Sequence, residues 1–87
     1  MYEIILSNKA EKELKKLDKG VRDRIINSLK RIRVRPENYL TRLVGDQIYK
    51  LRVGDYRILM DIDKGNLLIL VLKVSYRRNV YKSLTKL

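Results

Sequence analysis

The sequence predicts an α+β fold: an N-terminal strand, a two-helix antiparallel hairpin, then a mainly antiparallel twisted sheet (a β-meander) with a short C-terminal segment or helix. Three observations predict it. Before Pro36, apolar residues recur in two stripes at helical spacing, with Gly20 between them. Over residues 48–62 the pattern changes to strand alternation about Gly54-Asp55. Asp63-Lys64-Gly65-Asn66 then marks another turn before a third strand-like run. With 87 residues the chain is expected to be one domain, 1–87. Chains of this size bury roughly 60–65% of their unfolded surface, so the core must be well filled.

Each element has its own signal. Tyr2-Glu3-Ile4-Ile5-Leu6 reads as a short strand by its β-branched content. Ser7-Asn8-Lys9-Ala10-Glu11 opens a helix, and Asn8 and Glu11 have capping-box spacing. Ala10, Leu14 and Leu17 share its buried face. The reversal is expected at Asp18-Lys19-Gly20. Val21, Ile25, Leu29 and Ile32 form the stripe of a second helix, which ends before Pro36. The outer faces carry Lys9, Lys12, Lys15, Lys16, Arg22, Arg24, Lys30, Arg31 and Arg33. For most of these a solvated helix face is explanation enough. A nucleic-acid partner would use such a face for sequence-independent attraction.

After Pro36 comes a connector with a short edge strand at 39–43 and a turn at Gly45-Asp46. The Gly54-Asp55 turn sets Val53 opposite Tyr56, Arg52 opposite Arg57, Leu51 opposite Ile58 and Lys50 opposite Leu59. Tyr49, Leu51, Val53, Tyr56, Ile58, Met60 and Ile62 then share an apolar face. Lys50, Arg52, Arg57, Leu59 and Asp61 share the other. Like charges directly opposite each other are unfavourable unless an anion lies between them. In the next turn, Gly65 is expected to be the left-handed residue of a three-residue loop with a bulge. That loop pairs Ile58 with Leu70 and Arg57 with Val71. It sends Leu68, Leu70, Leu72 and Val74 to the apolar face, and Leu67, Ile69, Val71 and Lys73 to the cationic one. Leu59, Leu67, Ile69 and Val71 thus form an apolar patch on the cationic side, a docking site for a second polypeptide. A helix formed by the tail 76–84 is the competing cover.

Composition narrows the function. Twenty-one basic against ten acidic residues give a formal charge of +11, which suits nucleic acid or an acidic protein. There is no cysteine and no histidine. Disulfides, thiolate metal sites and cysteine nucleophiles are excluded, and so is the usual general base near neutral pH. No metal and no cofactor is expected. No apolar run is long enough to cross a bilayer, and Met1-Tyr2-Glu3 lacks a signal-peptide n-region, so a cytoplasmic location without membrane contact is expected.

Strand, helix hairpin and a meander containing Leu51-Arg52-Val53-Gly54-Asp55-Tyr56-Arg57-Ile58-Leu59 resemble the RelE/ParE toxin superfamily, here in its archaeal RelE-like form. The ending Val74-Ser75-Tyr76-Arg77-Arg78-Asn79-Val80-Tyr81 resembles the close of that family's pattern, with Ser75-Tyr76 where many members carry Gly-His. Lys50 alone stands where the bacterial RelE type has a lysine pair. The resemblance implies the toxin of a type II toxin–antitoxin system. In its RelE branch it implies a ribosome-dependent endoribonuclease that cuts mRNA in the ribosomal A site, inhibits translation and is silenced by a RelB-like antitoxin. In its ParE branch it implies a DNA gyrase inhibitor. A non-catalytic RNA- or partner-binding module of the same fold is the third reading.

Cleaving RNA by its own 2′-hydroxyl needs a base, an acid for the leaving 5′-oxygen and stabilisation of the phosphorane charge. Without histidine, either carboxylates or lysine, arginine and tyrosine must serve. On the second scheme Arg57 contacts the scissile phosphate, because its planar fork suits phosphate oxygens. Lys50 is base or charge stabiliser. Arg77 aids the leaving group or holds phosphate, with Arg78 as the alternative. Tyr81 stacks on a base or orients the 2′-hydroxyl, or else packs on the sheet. Arg52 supports RNA binding or serves the turn, and Lys73 adds a further RNA contact.

Overall fold

A computed structural model of the chain describes residues 1–42 and 48–76. In order these form β1 (Glu3–Leu6), α1 (Asn8–Lys15), α2 (Lys19–Ile32), a 3-10 turn (Pro36–Asn38), β2 (Thr41–Arg42), β3 (Ile48–Val53), β4 (Tyr56–Asp63) and β5 (Leu68–Tyr76). The strand, helical hairpin and meander are those the sequence predicts. The Gly45-Asp46 turn and the tail, with Arg77, Arg78 and Tyr81, lie outside the described residues.

The strands form a single five-stranded sheet in the order β1-β5-β4-β3-β2. β1 runs parallel to β5, and the other neighbours are antiparallel. Helices α1 and α2 supply Ala10, Leu14, Ile25, Leu29 and Ile32 to the core. The sheet answers with Leu51, Val53, Ile58, Met60, Ile69, Val71 and Val74. Each large side chain of this set contributes about 1.5–3 kcal/mol by leaving water.

Local chemistry fixes the helices. Ser7, one residue ahead of the expected cap, has extended backbone, and its Oγ accepts from the Ala10 N–H at 3.1 Å. The same hydroxyl donates to the Leu72 carbonyl at 3.0 Å, tying the start of α1 to β5. Past the end of β1, the edge of β5 is closed by α1: Glu13 Oε1 accepts from the Val74 N–H at 2.9 Å. The chain reverses over Lys16-Leu17-Asp18, so Gly20 belongs to the first turn of α2 and not to the reversal.

The β3–β4 hairpin has the predicted register, with Val53 opposite Tyr56, Arg52 opposite Arg57, Leu51 opposite Ile58 and Lys50 opposite Leu59. Gly54 takes φ +58°, a conformation that glycine adopts without Cβ strain. The β4–β5 register differs from expectation. The turn covers Lys64-Gly65-Asn66-Leu67, with Asp63 opposite Leu68. Asp63 Oδ1 accepts from the Asn66 N–H (3.1 Å), and Asn66 Nδ2 donates to Asp63 Oδ2 (2.8 Å). The positive φ falls on Leu67 (54°), not on Gly65. Ile58 therefore meets Val74 rather than Leu70, and Arg57 meets Ser75 rather than Val71. A register shift between Leu59 and Met60 leaves Leu72 unmatched, so the slip is odd below it and even above it. Ile69 and Val71 consequently turn to the helices, while Val74 keeps its predicted face.

Candidate functional site

Strand alternation along β4 sends Ile58 and Met60 to the helices and Arg57, Leu59 and Asp61 to the opposite face. Arg57 sits in the middle of that face, between Arg52 of β3 and Ser75 of β5. It is only 4% exposed, and its Nε and Nη1 are buried without a hydrogen-bond partner. A guanidinium keeps its charge in proteins. Leaving two of its N–H groups desolvated and unpaired costs on the order of 1–3 kcal/mol each, and more for a charged group. An anionic oxygen would satisfy either donor, and the planar guanidinium suits phosphate.

Lys50 lies on the same face, half-buried between Thr41 of β2 and Leu59 of β4. Arg52 is exposed, and its Nε donates to the Gly54 carbonyl at 3.4 Å. Of its two expected roles this contact supports service to the turn, while the rest of its guanidinium stays available. The structure thus brings Lys50, Arg52 and Arg57 together on one face, as the sequence predicts. Lys73 lies across Leu59 from Lys50. Burial lowers its ammonium pKa, the charge of Lys9 lowers it further, and Glu13 opposes both. Lys9 and Glu13 of α1 are thus charged neighbours of Lys73, which lies on the predicted face at its α1 edge.

The predicted apolar patch does not assemble. Ile69 and Val71 are wholly buried against the helices, for the register reason given above. Leu59 does take the cationic face but is buried, and Leu67 is 45% exposed at the turn. Leu68 and Leu70 replace Ile69 and Val71 on that side, with Leu70 exposed. Sequence reasoning missed Ser75, buried directly across from Arg57. Its position followed from the β4–β5 register, which was off by four residues there. Arg24 and Arg31 are among the outer-face cations that the sequence reads mostly as solvated, and on α2 they share a face with Asn27 and Ser28. Their spacing places them on one stripe that meets Arg52 across a cleft. Among the described residues no three potential metal ligands cluster, and no helix is long and apolar enough to cross a membrane.

Residues 4–81 match the family described as "ParE toxin of type II toxin-antitoxin system, parDE", nearly the whole chain. The chain belongs to this toxin family. The RelE/ParE resemblance read from its motifs therefore holds. No curated protein matches it in sequence. Solved structures show the same fold. The toxin–antitoxin complex RelBE2 of Mycobacterium tuberculosis gives a TM-score of 0.80 at 22% identity, covering 87% of this chain and 98% of that one. The archaeal RelE–RelB complex of Pyrococcus horikoshii gives 0.73 at 24%, covering 87% and 94%. The isolated E. coli RelE toxin gives 0.77 at 25% identity, covering 99% and 97%.

Proposed function

We propose that this toxin is a ribosome-dependent mRNA endoribonuclease that inhibits translation in the cytoplasm. The observation that carries the proposal is Arg57, a buried guanidinium with two unpaired N–H groups set against a second arginine. In the reaction the mRNA 2′-oxygen attacks the adjacent phosphorus and loses its proton. The 5′-oxygen leaves and gains one. Arg57 neutralises the phosphorane charge between these events. Lys50 acts as base or as a second charge stabiliser. Arg77, with Arg78 as alternative, assists the leaving oxygen, and Tyr81 orients the 2′-hydroxyl or stacks on a base. Lysine is almost fully protonated at neutral pH, so such a catalyst is slow alone and depends on positioning. The ribosome with mRNA in its A site supplies that positioning.

A RelB-like antitoxin is the proposed silencing partner, because the M. tuberculosis and P. horikoshii relatives were solved in complexes of that kind. An acidic chain suits a protein of charge +11.

A second reading stands beside this one, since the matched family is described by ParE. A gyrase inhibitor would share the fold without needing a phosphate-cleaving cluster. Purified protein added to a translating extract and to a gyrase supercoiling reaction separates the two. Cut ribosome-bound message, abolished by Arg57→Ala, is the expected result. Lost supercoiling with intact message would transfer the protein to the gyrase class. Neither effect would leave a binding module.

A further inference from the structure

We infer that the cleft between α2 and the tip of the β3–β4 hairpin is a second phosphate-binding site, which holds the RNA backbone beyond the position bound by Arg57. The cleft, about 390 Å³, is lined by Arg24, Asn27, Ser28 and Arg31 from α2 and by Arg52 and Gly54 from the hairpin. Among the described residues no carboxylate lines it. Asp55 borders the adjoining hollow but makes no ion pair with Arg24, and none of the three arginines is ion-paired. Three arginines lining one cleft without a counter-charge give it a positive field that attracts a polyanion.

The cleft is shaped as well as charged. Gly54 has no Cβ, and one built there would stand 3.5 Å from Arg24 Nη2, so the Arg24 guanidinium lies close over the turn. Asn27 and Ser28 sit between the two helix arginines and offer neutral donors and acceptors. Arg24 and Arg31 are two helical turns apart, about 10 Å along α2. That span exceeds a single phosphate and fits a stretch of backbone. Arg52 joins the two sites, because it lies opposite Arg57 in the sheet and also lines the cleft. The cationic track therefore runs from Arg57 over the hairpin tip onto α2. That the strand on this track is RNA rests on the function proposed above.

The test reads binding alone. A fluorescent 2′-O-methyl RNA strand lacks the attacking hydroxyl and cannot be cut by that route. It is titrated with the full chain from low to physiological salt. Wild type should bind more weakly as salt rises. The pair Arg24→Gln/Arg31→Gln should bind more weakly still at low salt. Its slope of log affinity against log salt should be smaller by about 1.4, since each phosphate contact on a single strand contributes roughly 0.7. The pair Arg24→Lys/Arg31→Lys should keep the wild-type slope. A glutamine pair with wild-type affinity and slope overturns the inference, as does a lysine pair that loses the slope. A glutamine pair that keeps RNA but loses polyglutamate binding reassigns the cleft to an acidic protein chain. Failure of message cleavage in the translating extract leaves this readout unaffected, so the two proposals fail separately.

Discussion

Over Arg57 to Met60 both faces of β4 are buried, and the two are chemically opposite. Ile58 and Met60 on the helix side are fully enclosed by other apolar side chains. Arg57 and Leu59 on the far side are 4% exposed, yet one of them is a charged group with unpaired N–H donors. Burial on the first face stabilises the fold through transfer from water. Burial of Arg57 on the second costs stability, because no protein group among the described residues accepts from its Nε and Nη1. A stability argument accounts for the first face and leaves the second unexplained. An anion-binding function accounts for the second, since the empty donors are then pre-organised for a ligand.

Four substitutions sharpen that contrast, the largest effect first. Ile58→Ala removes a fully buried side chain from the middle of the helix-side core and should cost about 2–5 kcal/mol in denaturant unfolding. Any loss of translation inhibition should then follow the unfolded fraction. A neutral Ile58→Ala would break the picture of a tightly packed helix face.

The turns come next. Gly54→Ala should cost about 1–2 kcal/mol, the penalty for an L-residue in the left-handed region, since the added Cβ would meet Arg24 only at ordinary contact distance. Leu67→Gly should do the reverse and stabilise by up to about 1 kcal/mol, because Leu67 already holds φ 54°. Thermal melts of both variants check the pair, and equal shifts of the same sign would contradict it.

The smallest effect is at Lys73. Its folded pKa lies below the ordinary 10.5, so its charged form is disfavoured by folding. Below the folded value both states carry the proton and the cost is fully present. As pH rises from there toward 10.5 the folded state releases its proton first, and stability increases. Lys73→Gln should remove that alkaline gain while leaving the profile near neutral pH parallel to wild type. An unchanged alkaline profile would place Lys73 in free solvent.

How far the sequence revealed this arrangement depended on how much each segment constrained itself. Around Gly54-Asp55, alternation on both strands and a two-residue turn allow one register, and the structure has it. Residues 67–72 are apolar throughout, so alternation there carries no register information. The loop assignment then decided everything. It fell to Gly65, whereas the turn is set by the Asp63–Asn66 side-chain bonds and by a left-handed Leu67. The unmatched Leu72 restored the predicted face for Lys73 and Val74, but Ile69 and Val71 stayed reversed. The cluster of Lys50, Arg52 and Arg57 was legible because it depends on the well-specified hairpin alone. The cleft over Arg24 and Arg31 was not, because it needs the tertiary approach of α2 to the hairpin tip. The Glu13 bond to the Val74 N–H is likewise a tertiary fact between residues far apart in sequence.

The most direct test of the account is Arg57→Met, read for stability and for activity in the same preparation. Methionine keeps the aliphatic stem and much of the volume while removing the unpaired charge. Replacing buried charge by apolar side chains is often neutral or stabilising. The account predicts a melting temperature equal to or above wild type. It also predicts that message cleavage in a translating extract falls roughly 10²–10³-fold, the usual cost of one transition-state donor. A well-folded Arg57→Met protein that still cuts at the wild-type rate, or one that loses stability because Arg57 holds the sheet together, would contradict it.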